Sequence, residues 1–454
     1  MGEEFTFSNV RRVVQAIANY LRKESPGKEN SLVIGYDTRF LSERFAEEAA
    51  SLLSCNGIHV FLAERDCPSQ ALAYQIIKGG HSGGINFTAS FNPPEFNGLK
   101  FNVSSGAPAL PEVTERIEQE VERISAESVS PRHYPDPDYI HKIDLQLDYL
   151  EYLQHKVDFE AIRKSGLKIG IDLLFGTSRE YLDEILEENG IPIEVIHGYV
   201  DPYFGGISPA CTEKNLAELK RLIKETGCAL GLATDADGDR FGLLDEQGKL
   251  VIPNHALALL LEYLIAVKGW RGGVARSVTT THLIDRIARH YDLPLYRTPV
   301  GFKYMADLFL KNKIIFGGEE SACLAVKDHL PEKDGIFAGL LVAEMVAVCG
   351  QNLSPLLEQL FKKYGRMFGA QANIPLSAER SRRLNELLSS PPDSLRRRKI
   401  QSVETMDGLK LDFVGDSWLI LRFSGTEPLI RCYAEAETEK EAKALLEAGM
   451  RLLW

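Results

Sequence analysis

No stretch of this chain stays apolar long enough to cross a bilayer. The most apolar helix-like run, residues 256–267, is interrupted by Glu262 and is shorter than the roughly 20 residues a span requires. The opening MGEEFTFSNV is acidic and polar, which excludes a secretory signal there. Basic charge is scarce as well: 52 Lys and Arg stand against 64 Asp and Glu, a net charge of −12. That balance argues against broad binding to nucleic acid or to acidic membranes, yet a few local arginines could still hold a phosphate. Cysteine is sparse, seven in 454 residues, scattered and with no Cys-x-x-Cys pair. Such usage fits reduced thiols and not a disulfide framework or a zinc site. These absences predict a soluble, cytoplasmic protein.

What is present is ordinary globular composition, 44% hydrophobic and 26% charged, in a chain too long for one core and expected to form about three or four domains. Strand-like and helix-like segments alternate. SLVIGYD (31–37) precedes helical ERFAEEAASLLSC and the strand GIHVFLA (57–63). KIGIDLL (168–174) precedes a helix within SREYLDEILEENG, and CALGLATD (228–235) and GGVARSV (272–278) are further apolar strands. This alternation predicts parallel sheets with helices on both faces. PRHYPDPDY (131–139) reads as a connector, LDYLEYLQHKVDFEAIRK (147–164) as one helix entering a second unit, and KLVIPN (249–254) as the opening of a third. After the break at 362–376, the segment 416–437 reads as an antiparallel hairpin before a last helix, a smaller α+β unit. The expected domains are 1–142, 143–250, 251–367 and 368–454.

Four segments carry candidate chemistry. TASFNPPEFNGLKF (88–101) follows the apolar strand GGINF and places Ser90 where α/β folds put their ligands. Its prolines and glycine would hold a nucleophile in one shape, although an ordinary Asn/Pro/Gly turn has the same composition. Serine needs an activating base or metal, and no Gly-x-Ser-x-Gly elbow surrounds Ser90. DADGDR (235–240) sets Asp235, Asp237 and Asp239 at alternate positions, with Arg240 beside them. Carboxylates so close repel unless a cation or protons intervene, and Mg²⁺ suits such hard oxygen ligands beside phosphate. A calcium loop shares the first spacings and has Glu246 at its twelfth position, but Arg240 stands where that loop needs glycine; a solvated acidic turn is the remaining alternative.

GGEESACLAVKDHLPEKDG (317–335) offers Glu319, Glu320 and Ser321 as acceptors for vicinal hydroxyls, or is simply a charged loop. In RFSGTEPLIR (422–431), Ser424, Gly425 and Thr426 can form an anion-holding nest, with Arg422 and Arg431 as planar donors. A plain strand-connecting turn is the competing reading.

Together and in this order, these motifs resemble the α-D-phosphohexomutase superfamily of phosphoglucomutases and phosphomannomutases, over nearly the whole chain. The resemblance implies three consecutive α/β domains with mixed, mainly parallel sheets plus a smaller C-terminal α+β domain around a central cleft. It implies that Ser90 is the phosphoserine and that its phosphate completes the coordination of Mg²⁺ held by Asp235, Asp237 and Asp239. Lys100 would act as acid or base, and Arg240 would be catalytic. Gly301 and Lys303 of TPVGFK (298–303), with Glu319, Ser321 and Lys333, would bind the sugar. Arg422, Ser424, Gly425, Thr426 and Arg431 would hold the phosphate that is not reacting.

The implied enzyme is an intramolecular phosphotransferase interconverting hexose 1-phosphate and hexose 6-phosphate through a hexose 1,6-bisphosphate. Its partners would be small hexose phosphates, without nucleic acid or membrane, in a monomer or homodimer. KDHLPEKDG and the Phe-Lys of GFK resemble glucose-specific members more than glucosamine-specific ones. A phosphomannomutase or dual-specificity mutase, and a weakened sugar-phosphate-binding regulatory paralogue, are the alternatives.

Departures from the family pattern accompany the match. Phe91 stands where the motif usually has histidine, and a phenyl ring neither donates a hydrogen bond nor carries a proton, which predicts a slower reaction. The family's upstream Gly-Thr-x-Gly segment, with its arginine, is not represented in the sequence. Cys323 replaces a common glycine or histidine, and Ser69 lies where Thr-Pro is frequent.

Overall fold

A computed structural model describes residues 4–125, 136–425 and 427–454. The connector expected at 131–139 is therefore described only from Asp136 onward. The chain clusters into two compact units: residues 1–252, 306–312 and 321–354 form one, and 253–305, 313–320 and 355–454 the other.

The first unit holds two sheets. In one, β1 (Ser31–Tyr36), β2 (His59–Ala63), β3 (Gly83–Phe87), β4 (Leu99–Val103) and β5 (Ile140–Ile143) lie in the order β4-β3-β1-β2-β5. All pairs are parallel except β3 with β4. Residues of β3 are buried throughout, as expected of a central parallel strand covered on both faces. Val14 and Ile17 of helix Phe7–Glu24 and Phe45, Ala49 and Leu53 of helix Ser42–Cys55 pack on Leu32, Ile34, Val60 and Phe87.

The second sheet orders β6 (Ile169–Asp172), β7 (Ile193–Ile196), β8 (Leu230–Thr234), β9 (Phe241–Leu244) and β10 (Leu250–Val251) as β10-β9-β8-β6-β7. β6, β7 and β8 are parallel, whereas β9 and β10 are antiparallel additions. Two expectations are corrected here. Leu250 and Val251 close this second sheet, because their backbone groups pair with β9; the next segment opens only with the helix Pro253–Ala266. The single helix expected over 147–164 is two, Gln146–Gln154 and Phe159–Ser165. Asp158 divides them: its side chain caps the second helix by accepting from Ala161 N at 2.9 Å, and its own N–H donates to Glu344 Oε2 at 2.7 Å.

The helix Gly335–Cys349, buried from Gly335 through Val346, packs on β8, β9 and helix Phe159–Ser165. Asp334 caps it, accepting from Phe337 N at 2.8 Å, from Tyr149 Oη at 2.6 Å and from His329 Nε2 at 2.8 Å. A Cβ at Gly335 would lie 2.3 Å from Arg240 O, so only glycine lets this helix start so close to the acidic loop.

In the second unit, β11 (Gly273–Ser277) pairs in parallel with β12 (Leu295–Thr298) and β13 (Ile314–Glu319); β14 (Cys323–Val326) groups with the first unit. The C-terminal sheet consists of β15 (Phe368–Pro375), β16 (Ser394–Leu395), β17 (Arg398–Glu404), β18 (Leu409–Phe413), β19 (Trp418–Phe423) and β20 (Leu429–Ala436). Its order is β15-β20-β19-β18-β17-β16 and it is antiparallel throughout. Helices Ala378–Ser389 and Glu439–Arg451 cover one face, and on the other Trp418 and Ile420 pack with Val278. Among the described residues no single helix is long and apolar enough to cross a membrane.

Lys410 is buried against this second face. Its Nζ lies 4.4 Å from the Trp418 ring centroid, donates to Val278 O at 2.7 Å and sits 3.2 Å from His282 Nε2. Burial, with Arg276 nearby, pushes its pKa down to about 7. The unfolded chain keeps the ordinary, higher value, so stability is lost as pH falls from about 10 toward 7. A depression of this size corresponds to about 5 kcal/mol, against about 1 kcal/mol for the hydrogen bond lost on substitution. Lys410→Met should thus raise the melting temperature at pH 7 by about 5 °C, a gain that shrinks by pH 10. Paired thermal scans at both pH values read this out; a gain independent of pH would refute it.

Candidate active site

The serine loop begins where β3 ends. Ser90 has φ 51°, a left-handed conformation costly for a residue with a Cβ, and its N–H donates to Thr88 Oγ1 at 2.9 Å. A Cβ at Gly98 would lie 2.7 Å from Thr88 O, so the loop's return strand runs close against its start. The loop is held from inside by Arg39, in the turn that follows β1. Its guanidinium donates to four loop carbonyls, Pro93 O at 2.7 Å, Asn92 O at 2.6 Å, Phe96 O at 3.2 Å and Ser90 O. Arg39 is itself fixed by Asp37, with Nε 3.0 Å from Oδ2 in a fully buried pair. Burial raises the Asp37 carboxyl pKa despite Arg39.

Ser90 Oγ donates to Asp235 Oδ2 at 2.5 Å, so the isolated hydroxyl of the sequence has a base beside it. Asp235, Asp237 and Asp239 are buried, and one oxygen from each lies within 4.8 Å of the others. Lys100 Nζ joins two of them, 2.6 Å from Asp237 Oδ2 and 2.8 Å from Asp239 Oδ2. Lys333 Nζ lies 3.1 Å from Asp239 Oδ2 and 2.9 Å from Glu332 Oε1. Burial, with Asp237 and Asp239, pushes the Asp235 carboxyl well above its usual range. Burial acts the same way on Asp239, but Lys100, Lys333 and Arg240 outweigh it and hold this carboxyl well below the ordinary value. Lys100 is also held charged: burial lowers its pKa, and Asp237 and Asp239 raise it by more. That suits an ammonium supplying charge or a proton, and disfavours Lys100 as a base.

The acidic loop fits a hard cation. Asp237 Oδ1 and Asp239 Oδ1 are buried oxygens with no hydrogen-bond partner among the described residues, a costly arrangement that a cation with oxygen ligands relieves. Arg240 closes the loop, its N–H donating to Asp235 Oδ1 at 3.0 Å and its Nε 3.7 Å from Asp239 Oδ1. Ser69, noted above only as a departure, donates to Asp237 Oδ2 at 2.8 Å. Ser321 is in the same unit, its Oγ 3.3 Å from Cys323 Sγ.

The remaining candidates lie in the second unit. Glu319, the last residue of β13, accepts from Gly301 N at 2.7 Å, while Glu320 Oε2 accepts from Thr279 Oγ1 at 2.6 Å. Lys303 Nζ sits 5.5 Å from the Tyr304 ring centroid. Arg422 and Arg431 face each other across β19 and β20, and Arg431 Nε donates to Ser424 Oγ at 3.2 Å. Arg431 also pairs with Glu427. Gly425 follows in the turn, and Thr426 lies outside the described residues. Asp407 joins these groups: its Oδ2 accepts from Arg422 Nε at 3.1 Å and from Val300 N at 2.8 Å.

Sequence reasoning missed Arg39, Ser69 and Asp407. Only Arg39 left a trace, since it follows a strand ending in Asp; a lone serine opening a helix, as Ser69 does, or a lone aspartate in a turn has no distinguishing pattern.

Comparison with known proteins bears on the whole chain. Four family models match in order: phosphoglucomutase/phosphomannomutase alpha/beta/alpha domain I over residues 1–128, domain II over 147–248, domain III over 252–364 and the C-terminal domain over 391–451. The chain is 30% identical over 456 aligned positions to a Thermococcus kodakarensis phosphoglucomutase/phosphomannomutase, covering 100% of this chain and 96% of the relative. A Caldicellulosiruptor bescii phosphoglucosamine mutase is 28% identical, with 94% and 90% covered. Among solved structures, a Thermus thermophilus protein assigned as a phosphomannomutase matches with a TM-score of 0.85 and 28% identity, covering 100% of this chain and 96% of that one.

Proposed function

The chain belongs to the phosphoglucomutase/phosphomannomutase family of phosphohexomutases, and we propose that it interconverts hexose 1-phosphates and hexose 6-phosphates, glucose phosphate foremost, through phosphorylated Ser90. The observation that carries this reading is the 2.5 Å hydrogen bond from Ser90 Oγ to Asp235 beside two further buried aspartates. We assign the four loops to segments 1–142, 143–252, 253–367 and 368–454, the second boundary set after β10.

In the first half-reaction the free hydroxyl of a hexose monophosphate gives its proton to the Asp235 carboxylate as its oxygen bonds to phosphorus; the phosphoserine P–Oγ bond breaks, and Ser90 Oγ takes that proton from Asp235, giving the 1,6-bisphosphate. After the intermediate reverses, Ser90 Oγ attacks its other phosphoryl group and passes its proton to Asp235 Oδ2; the bond from phosphorus to the sugar oxygen breaks, and that oxygen leaves with the proton from Asp235. Lys100, Lys333 and Arg240 keep positive charge beside the transferring group, where negative charge spreads over its oxygens. Asp235, Asp237 and Asp239 would hold Mg²⁺, which neutralises that charge when bound. Glu319 and Ser321, with Gly301, Lys303 and Lys333, would read sugar hydroxyls. Arg422, Ser424, Gly425, Thr426 and Arg431 would hold the phosphate that does not react. Because the two ends of the bisphosphate look alike to such a clamp, one clamp serves both orientations.

A coupled assay with bisphosphate activator tests the reading. Glucose 1-phosphate should turn over faster than mannose 1-phosphate or glucosamine 1-phosphate, chelation should remove activity, and Mg²⁺ should restore it. Equal rates would remove the glucose preference, and no turnover of any of the three would sink the mutase assignment in favour of a binding role.

A further inference from the structure

Phe91 occupies the position next to the proposed nucleophile where an imidazole is expected, and it has a definite partner. Its ring lies under the Arg240 guanidinium, with Cζ 4.1 Å from the ring centroid. Its carbonyl accepts from Ser208 Oγ, so the backbone on this side of the loop is tied down as well. The Arg240 side chain is otherwise lightly anchored at this end. Its Nε is buried without a hydrogen-bond partner among the described residues, and Asp239 Oδ1 at 3.7 Å is too distant for one.

We propose that Phe91 is a positioning residue, whose ring face orients the Arg240 guanidinium toward the phosphoryl group carried by Ser90. An aromatic face attracts a cation through its quadrupole yet occupies none of the cation's N–H donors. The guanidinium is thereby aimed without committing a donor to the neighbour that aims it. An imidazole here could hydrogen-bond or carry charge of its own; the phenyl ring trades proton chemistry for a fixed electrostatic plane. The slower reaction expected from losing the histidine is offset to that extent. This inference rests on the phosphotransferase reading of Ser90 and Arg240.

Fluorination of the ring separates electrostatic positioning from space filling, since each fluorine weakens the quadrupole with little change in size. Substituting mono-, di- and trifluorophenylalanine at position 91 should lower kcat progressively, by about tenfold over the series, with KM within about twofold. Phe91→Tyr, which keeps the ring face, should retain kcat, and Phe91→Leu should lose it. A flat kcat across the fluorinated series overturns the inference while leaving the mutase reading intact. Should the wild-type protein turn over no hexose phosphate, that reading fails, and a second measurement still judges the contact. Denaturation midpoints of Phe91→Leu, Arg240→Met and the double variant should be non-additive; additive shifts would overturn the pairing itself.

Discussion

Ser90→Ala should reduce mutase turnover by about 10⁴-fold or more and abolish the phosphoryl group that alkaline phosphatase removes from the wild-type protein. The expectation follows from what the hydroxyl touches. Ser90 Oγ is 2.5 Å from Asp235 Oδ2, on a loop held by Arg39 and Thr88. Alanine fits the same backbone and removes only the nucleophile, so folding should be unaffected. Intact mass before and after phosphatase treatment, together with the coupled assay, reads both effects. A variant that keeps a removable phosphoryl group would show that phosphorylation occurs elsewhere and would end the assignment of Ser90.

Arg39→Ala should be the more damaging substitution for the protein as a whole. It strips four loop carbonyls of their donor and leaves Asp37 buried beside no guanidinium. Breaking a buried ion pair from one side costs about 3–5 kcal/mol, and loosening the loop should lower kcat by about 10²-fold through lost orientation. Arg39→Lys separates the two effects. An ammonium can compensate the Asp37 charge, so much of the stability should return, but a point charge cannot span four carbonyls in a plane, so the rate should stay low. Thermal scans and kcat measured side by side decide this; recovery of both by lysine would mean that charge alone holds the loop.

Periodicity made the sheets legible because central parallel strands such as GGINF and LGLAT are buried on every residue, and such runs are visible without any structure. The edge additions were not. β10 has only two residues, and its membership in the second sheet is set by backbone pairing with β9, which side-chain pattern does not record. The broken helix at Asp158 was hidden for a related reason: apolar spacing continues across it, while the break comes from a cap and from Glu344, far away in sequence.

The candidate site divides in the same way. The residues proposed to carry chemistry stand in local clusters, as in Asp235, Asp237 and Asp239, and local clusters can be read. Residues that hold them arrive from distant segments, as Ser69 reaches Asp237 and Asn102 Nδ2 reaches Glu332 Oε2 at 2.7 Å. Phe91 shows a further limit: the substitution was visible as a loss, but the gain, a ring beneath Arg240, depends on a loop some 150 positions away in the chain.

Asp407 has a bearing on redesign. A single carboxylate oxygen takes hydrogen bonds from Arg422 and from the backbone of the 298–303 segment, so the segment proposed to read the sugar and the strand proposed to hold the phosphate are mechanically geared together. On these proposed roles, altering that segment to retune sugar choice should carry into affinity for the phosphate end, and selection for a new sugar should recover changes at Asp407 alongside those in the segment itself.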